Sequence, residues 1–195
     1  YGGQNQEMME SFGSLAIALL LALILVYAVM AVQYESFFSP FVIMFSVPTA
    51  IIGVVLGLLL TGRSFSVTAF IGIIMLVGIV VSNAIILVDY LNKLRERGME
   101  RDEAIVEAGR VRLRPILMTA LTTILAMFPM TLALGEGGEV QAPLATVVVS
   151  GLLVSTLVTL VLVPVVYSIF DDWGQALNRR FKRNAPQQDT NLPVG

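Results

Sequence analysis

A chain of 195 residues with 56% hydrophobic and only 13% charged side chains is too apolar for an ordinary soluble domain, and lipid is the solvent that such a composition calls for. It carries no cysteine and no histidine, which excludes disulfide frameworks, Cys/His metal sites, cysteine nucleophiles and Ser-His pairs. The net charge of -2 is uninformative, because membrane topology follows where the basic residues sit rather than their sum.

Residues 1–13 have neither the basic n-region nor the apolar h-region of a signal peptide, and they read as the end of an extracytoplasmic segment. Five apolar stretches then follow, uncharged but for Asp89 at the end of the third, each long enough for the ~20 residues of helix that cross a bilayer. Their expected bounds are 14–34, 38–60, 66–90, 115–134 and 142–170. They are rich in Leu, Ile and Val without period-2 polar alternation, so a transmembrane β-barrel is a poor fit. Between the third and fourth stretches, Gly98 ends one helix, and residues 99–112 read as a short amphipathic cytoplasmic interfacial helix with Ile105, Ala108 and Val111 on one side. Residues 174–195 are first basic and then polar, a tail expected to be cytoplasmic and disordered at its end. The expected fold class is an all-α membrane protein, a bundle of five transmembrane helices with that interfacial helix between spans three and four.

Orientation follows from the connections. Lys93, Arg95, Arg97, Arg101, Arg110, Arg112 and Arg114 lie between spans three and four, and Arg179, Arg180, Lys182 and Arg183 follow span five. Arg63, between spans two and three, is the single basic residue on the other side. Basic residues stay cytoplasmic in short loops, so the chain is expected to start outside and end in the cytoplasm. An outside start without a signal peptide implies an earlier span and an external domain ahead of Tyr1.

Small residues at four-residue spacing mark helix faces that can approach closely where lipid supplies no hydrophobic force. Gly53 and Gly57 do so in span two, Gly78 and Ser82 in span three, Gly151, Ser155 and Thr159 in span five. Pro48, Pro129 and Pro164 sit inside spans and are read as structural kinks. Intramembrane polarity is sparse, and most of the hydroxyls can satisfy their own helix carbonyls. Asn83 cannot, because its amide needs a partner on a neighbouring helix. A functional polar centre and a plain interhelical clasp are both open readings for it. Arg112 and Arg114 read by default as snorkelling anchors ahead of Pro115. Asp89, beside Tyr90, reads as an interfacial group.

Three strings carry a family resemblance: Gln-Tyr-Glu-Ser at 33–36, Gly-Ile-Val-Val-Ser-Asn-Ala-Ile-Ile-Leu-Val-Asp-Tyr at 78–90, and Glu-Ala-Gly-Arg-Val-Arg-Leu-Arg-Pro-Ile-Leu-Met-Thr at 107–119. Together they resemble the C-terminal membrane half of resistance-nodulation-division (RND) exporters of the hydrophobe/amphiphile efflux branch, from about Met8 to Trp173. The resemblance implies the last five of twelve spans of a homotrimeric, proton-driven antiporter of the bacterial inner membrane, with large external porter domains that choose the cargo. It implies Asn83, Arg112 and Thr119, with Ser82 as a weaker member, as partners of a proton relay whose aspartate pair lies in the absent first half. In the best-known Gram-negative members a lysine precedes the asparagine of span three, and here that position is Ser82.

The expected function is therefore the C-terminal membrane part of a multidrug or amphiphile exporter, a secondary active transporter and not an enzyme. The expected partners are the N-terminal remainder of the same transporter, a homotrimer, membrane lipid and, in a Gram-negative cell, a periplasmic adaptor. No cofactor, metal or nucleic acid is expected. The rival readings are a lipid or protein-export auxiliary of the same superfamily, and a non-transporting anchor or sensing bundle.

Overall fold

The computed structural model describes residues 2–183, and every regular element in them is helical. In chain order these are α1 (Gly2–Tyr34), α2 (Phe38–Met44), α3 (Ser46–Thr61), α4 (Val67–Glu96), α5 (Arg101–Thr131) and α6 (Gly138–Arg183). Five helices are long and apolar enough to cross a membrane, with α2 and α3 sharing one span, Phe38–Thr61. The expected disordered tail end, 184–195, lies outside the described residues.

The second span is broken at Phe45, three residues before Pro48. Pro48 falls in the first turn of α3, where its missing N–H has no intrahelical partner to lose. Pro115, Pro129, Pro143 and Pro164 are carried inside helices instead. The segment expected to lie along the cytoplasmic surface is helical, and it runs without a break into the fourth span as α5. Glu100 leaves the preceding turn in an extended conformation, and no helix-ending glycine in αL separates 101–112 from Pro115. At 31 residues α5 measures about 46 Å along its axis, more than the ~30 Å hydrocarbon core, so its basic first turns have room to stand outside.

α6 is the hub, packing against α2, α3, α4 and α5. Its Val147, Val148, Leu152 and Val163 are fully buried, together with Leu76 and Leu87 of α4. Close approach explains the glycines. A Cβ on Gly53 would come within 2.9 Å of the backbone of Gly151 and Ser150. One on Gly57 would collide with the Ser150 side chain, and one on Gly151 with the Leu76 side chain. Gly72, which the four-residue spacing does not flag, would collide with the Leu144 carbonyl. Gly78 meets nothing and faces an open groove. Ser155 is buried in α6, its hydroxyl 3.4 Å from that of Thr159.

α1 and α5 are the least covered helices. Leu20, Leu21, Leu25, Val29 and Val32 of α1 remain exposed, as do Met118, Leu121, Leu125 and Phe128 of α5. Among the described helices the first packs against α2 and α4, and its Phe12 stacks on Phe65 of the loop between α3 and α4 at a centroid distance of 5.5 Å.

Candidate functional site: the seam between the third and fourth spans

α4 and α5 run antiparallel, and two pairs of residues meet along their seam. Asn83 and Thr119 line the same open groove of about 400 Å³, together with Ser82, Gly78 and Met75. Seven residues further along α4, Tyr90 lies under the Arg112 guanidinium, whose central carbon is 4.6 Å from the ring centroid. Arg112 is likewise seven residues before Thr119 on α5, about two helical turns or 10 Å away. The matched spacing on both helices therefore puts one polar pair in mid-span and one cationic pair toward the basic end.

The residues differ in burial. Asn83 is 8% exposed, whereas Ser82 and Thr119 face the open side of the groove. Thr119 donates its hydroxyl to the Pro115 carbonyl at 3.0 Å, and Thr122 and Thr123 do the same to Met118 and Thr119. Such back-bonding lets a hydroxyl sit in an apolar helix without a partner elsewhere. No hydrogen bond to the Asn83 amide is formed among the described residues. The α5 and α6 residues that share its surroundings thus leave its donors and acceptor free.

Arg112 is half-buried, and its Nε is covered without a hydrogen-bond partner among the described residues. The π face of Tyr90 replaces part of the lost hydration. Arg114, two residues on, is exposed, so the two arginines that look alike in the sequence occupy different environments. On its other side Arg112 borders a groove of about 650 Å³ between α1 and α4, where Asp89 and Lys93 form an i,i+4 ion pair at 2.7 Å.

Carboxylates are kept to the ends. Within the apolar bounds 14–34, 38–60, 66–90, 115–134 and 142–170, Asp89, at the basic end of the third, is the one carboxylate. Asp171 accepts from Arg95 at 3.4 Å, and Asp172 pairs with Arg101. The hydrogen bonds to Asp172 and then Asp102 hold the Arg101 guanidinium above its ordinary range. Those pairs join the ends of α4, α5 and α6, so both basic clusters stand at one end of the bundle. Nearby, Asn92 donates to Ser39 and accepts from Tyr167, each at 3.1 Å. This clasp was invisible in the sequence, where Asn92 is one more polar residue at a span end. Arg63 stands at the opposite end. It donates to the Thr131 carbonyl at 2.6 Å, to the Ala142 carbonyl at 3.0 Å and to the Thr146 hydroxyl. Among the described residues no cluster of acidic side chains could hold a metal ion.

The comparisons with known proteins agree with this architecture. The chain is 43% identical over 169 residues to the swarming motility protein SwrC of Bacillus subtilis (strain 168), a match covering 86% of this chain and 16% of that protein. Two crystal forms of a heavy metal efflux pump superpose with TM-scores of 0.79 and 0.78 at 36% and 37% identity, each covering 87% of this chain and 17% of the pump. The chain therefore spans about a sixth of the length of these relatives. The profile of the AcrB/AcrD/AcrF family matches residues 1–171. The chain belongs to that family and forms part of the membrane domain of an RND transporter.

Proposed function

We propose that this chain is the C-terminal membrane part of a proton-driven exporter of the bacterial inner membrane, and that its task is proton coupling rather than choice of cargo. The observation that supports this reading is the seam itself. Asn83, Ser82 and Thr119 converge on a groove open on one side, while the carboxylates sit at the ends of the bundle. A carboxylate supplied from the N-terminal remainder of the transporter fits that groove. Amide and hydroxyl donors hold its charged form, and Arg112 adds a permanent counter-charge, since arginine does not lose its proton in a protein. Protonation releases these bonds and lets the helices shift. A proton crossing 100 mV delivers about 2.3 kcal/mol, and only a group that changes charge in the bilayer can collect it. With serine at position 82 there is no second titrating cation, so the carboxylate titrates alone.

On the same reading the assembly is a homotrimer, the 1–13 end faces outward and the C-terminal end faces the cytoplasm. Amphiphiles are the proposed cargo class. The resemblance to a heavy metal efflux pump favours a second reading, in which the same membrane machinery drives export of metal ions through different external domains.

The test is export by the full-length transporter in everted vesicles. Asn83→Ala and Arg112→Ala are expected to abolish or strongly reduce export without loss of assembly, and Arg114→Ala to matter less. Normal export by both Arg112→Lys and Arg112→Ala at unchanged expression would make Arg112 a snorkelling anchor and end the relay assignment.

A further inference from the structure

Asn83 is a wall between two spaces. In front of it lies the open groove, and behind it, toward α6, lies a cavity of about 10 Å³ whose wall is half apolar, from Val80, Leu87, Ile116 and Leu160, and half polar, from Asn83, Ser155, Thr156 and Thr159. Thr156 is 6% exposed, and its hydroxyl oxygen is fully buried with no hydrogen-bond partner among the described residues. This sets it apart from Thr119, Thr122, Thr123, Thr146 and Ser150, which all donate to the carbonyl four residues back on their own helix. Two residues whose side-chain hydroxyl and amide are unpaired among the described residues therefore border one space inside the bundle. A cavity of roughly 10–15 Å³ with two to four polar partners is what a single buried water requires.

We propose that this cavity holds one ordered water molecule that accepts from Thr156 and donates to the Asn83 side-chain oxygen. Bound in this way, the water fixes the amide with its nitrogen toward the open groove, where both N–H groups are available to a carboxylate. Thr156 is then a positioning residue that acts through the water and Asn83, and α6 sets the orientation of a group on α4. This orienting role rests on the relay reading above; the water site itself does not. A sodium ion is a poorer occupant, because the wall offers a few neutral oxygens and no carboxylate.

The experiment is a structure of the full-length transporter in lipid nanodiscs at a resolution that shows ordered waters, for the native protein, Thr156→Val and Thr156→Ser, with export measured across a pH series for each. Valine keeps the shape of threonine and lacks the hydroxyl. The native protein and Thr156→Ser are expected to show a water within hydrogen-bond distance of residue 156 and of the Asn83 amide, and Thr156→Val to lose it. Export by Thr156→Val is expected to fall on the order of tenfold, as loss of one oriented hydrogen bond does. Its pH profile moves to higher pH, because a carboxylate that loses a donor to its charged form is protonated more readily. Thr156→Ser restores both. A dry native cavity, a direct Asn83–Thr156 bond, or density ringed by five or more oxygens would overturn the water site. A native water with unchanged export and pH profile in Thr156→Val would overturn the positioning role. Asn83→Ala run alongside separates these outcomes from failure of the relay, since normal export there ends the relay whatever the density shows.

Discussion

Arg63 is the basic residue that the charge count sets apart, and its contacts show why a cation belongs at that end. Its guanidinium reaches the Thr131 carbonyl at the end of α5 and the Ala142 carbonyl and Thr146 hydroxyl in the first turns of α6. The last carbonyls of a helix have no intrahelical donors, and a cation there also complements the helix dipole. One planar fork thus ties the loop between α3 and α4 to two other spans. Arg63→Ala should lower the stability of the solubilised protein by about 2 kcal/mol or more, since charged hydrogen bonds contribute ~1.5–3 kcal/mol each. Arg63→Lys should recover only part, because a single ammonium lacks the fork that spans both carbonyls. Thermal unfolding in detergent measures both, and an Arg63→Ala midpoint equal to the native one would show the staple to be dispensable.

At the scale of elements, the α3–α6 contact decides how the bundle closes. Gly53 meets backbone atoms of α6 within 2.9 Å, whereas Gly151 meets the movable end of the Leu76 side chain. Backbone cannot step aside and a leucine can change rotamer, so Gly53→Ala should cost about 1–3 kcal/mol by overpacking. Gly151→Ala should cost less. Gly78→Ala meets nothing within 4 Å among the described residues, and relief of the glycine helix penalty should stabilise by up to ~1 kcal/mol. Urea or heat denaturation of the three variants ranks them, and equal losses at Gly53 and Gly78 would contradict the packing described. In the full-length transporter Gly78→Leu should impair export, because the same open groove is where the carboxylate-bearing helix is proposed to sit.

For the whole molecule, the ion pairs Arg95–Asp171 and Arg101–Asp172 gather the ends of α4, α5 and α6 at one pole, and Arg63 marks the other. The positive-inside rule then orients the bundle. Single cysteines placed next to Arg63 and in the 135–139 loop should react with an impermeant reagent in intact cells, while cysteines between Lys93 and Arg101 should react only after permeabilisation. The opposite pattern would invert the topology. This chain alone, reconstituted in liposomes, should show no proton-coupled flux, because the one carboxylate within the apolar bounds of its spans, Asp89, is already paired with Lys93 at the end of the third. Flux from the chain by itself would refute the division of labour proposed between it and the rest of the transporter.

Five spans, their helical character and the clustering of basic residues were legible in the sequence, because a bilayer imposes a length and an apolar composition on each helix independently of its neighbours. The small-residue faces of α3 and α6, Gly53 with Gly57 and Gly151 with Ser155, were legible for the same reason, as small residues must line any close contact between membrane helices. Which side chains meet across helices was not legible, since that depends on rotation and register between elements far apart in the chain. Position alone offered Arg112 and Arg114 as like anchors, the family resemblance singled out Arg112, and the place of Tyr90 on α4 gave the two different surroundings. The sequence offered Gly78 as a packing residue like Gly53, and the tertiary structure turned it to an open groove. Nothing in the sequence set Thr156 apart from the other hydroxyls of the spans, and the packing of α6 against Asn83 left it unpaired among the described residues. Local composition decides whether a segment can be a membrane helix, whereas a polar site needs two helices to face each other, and no single segment encodes that.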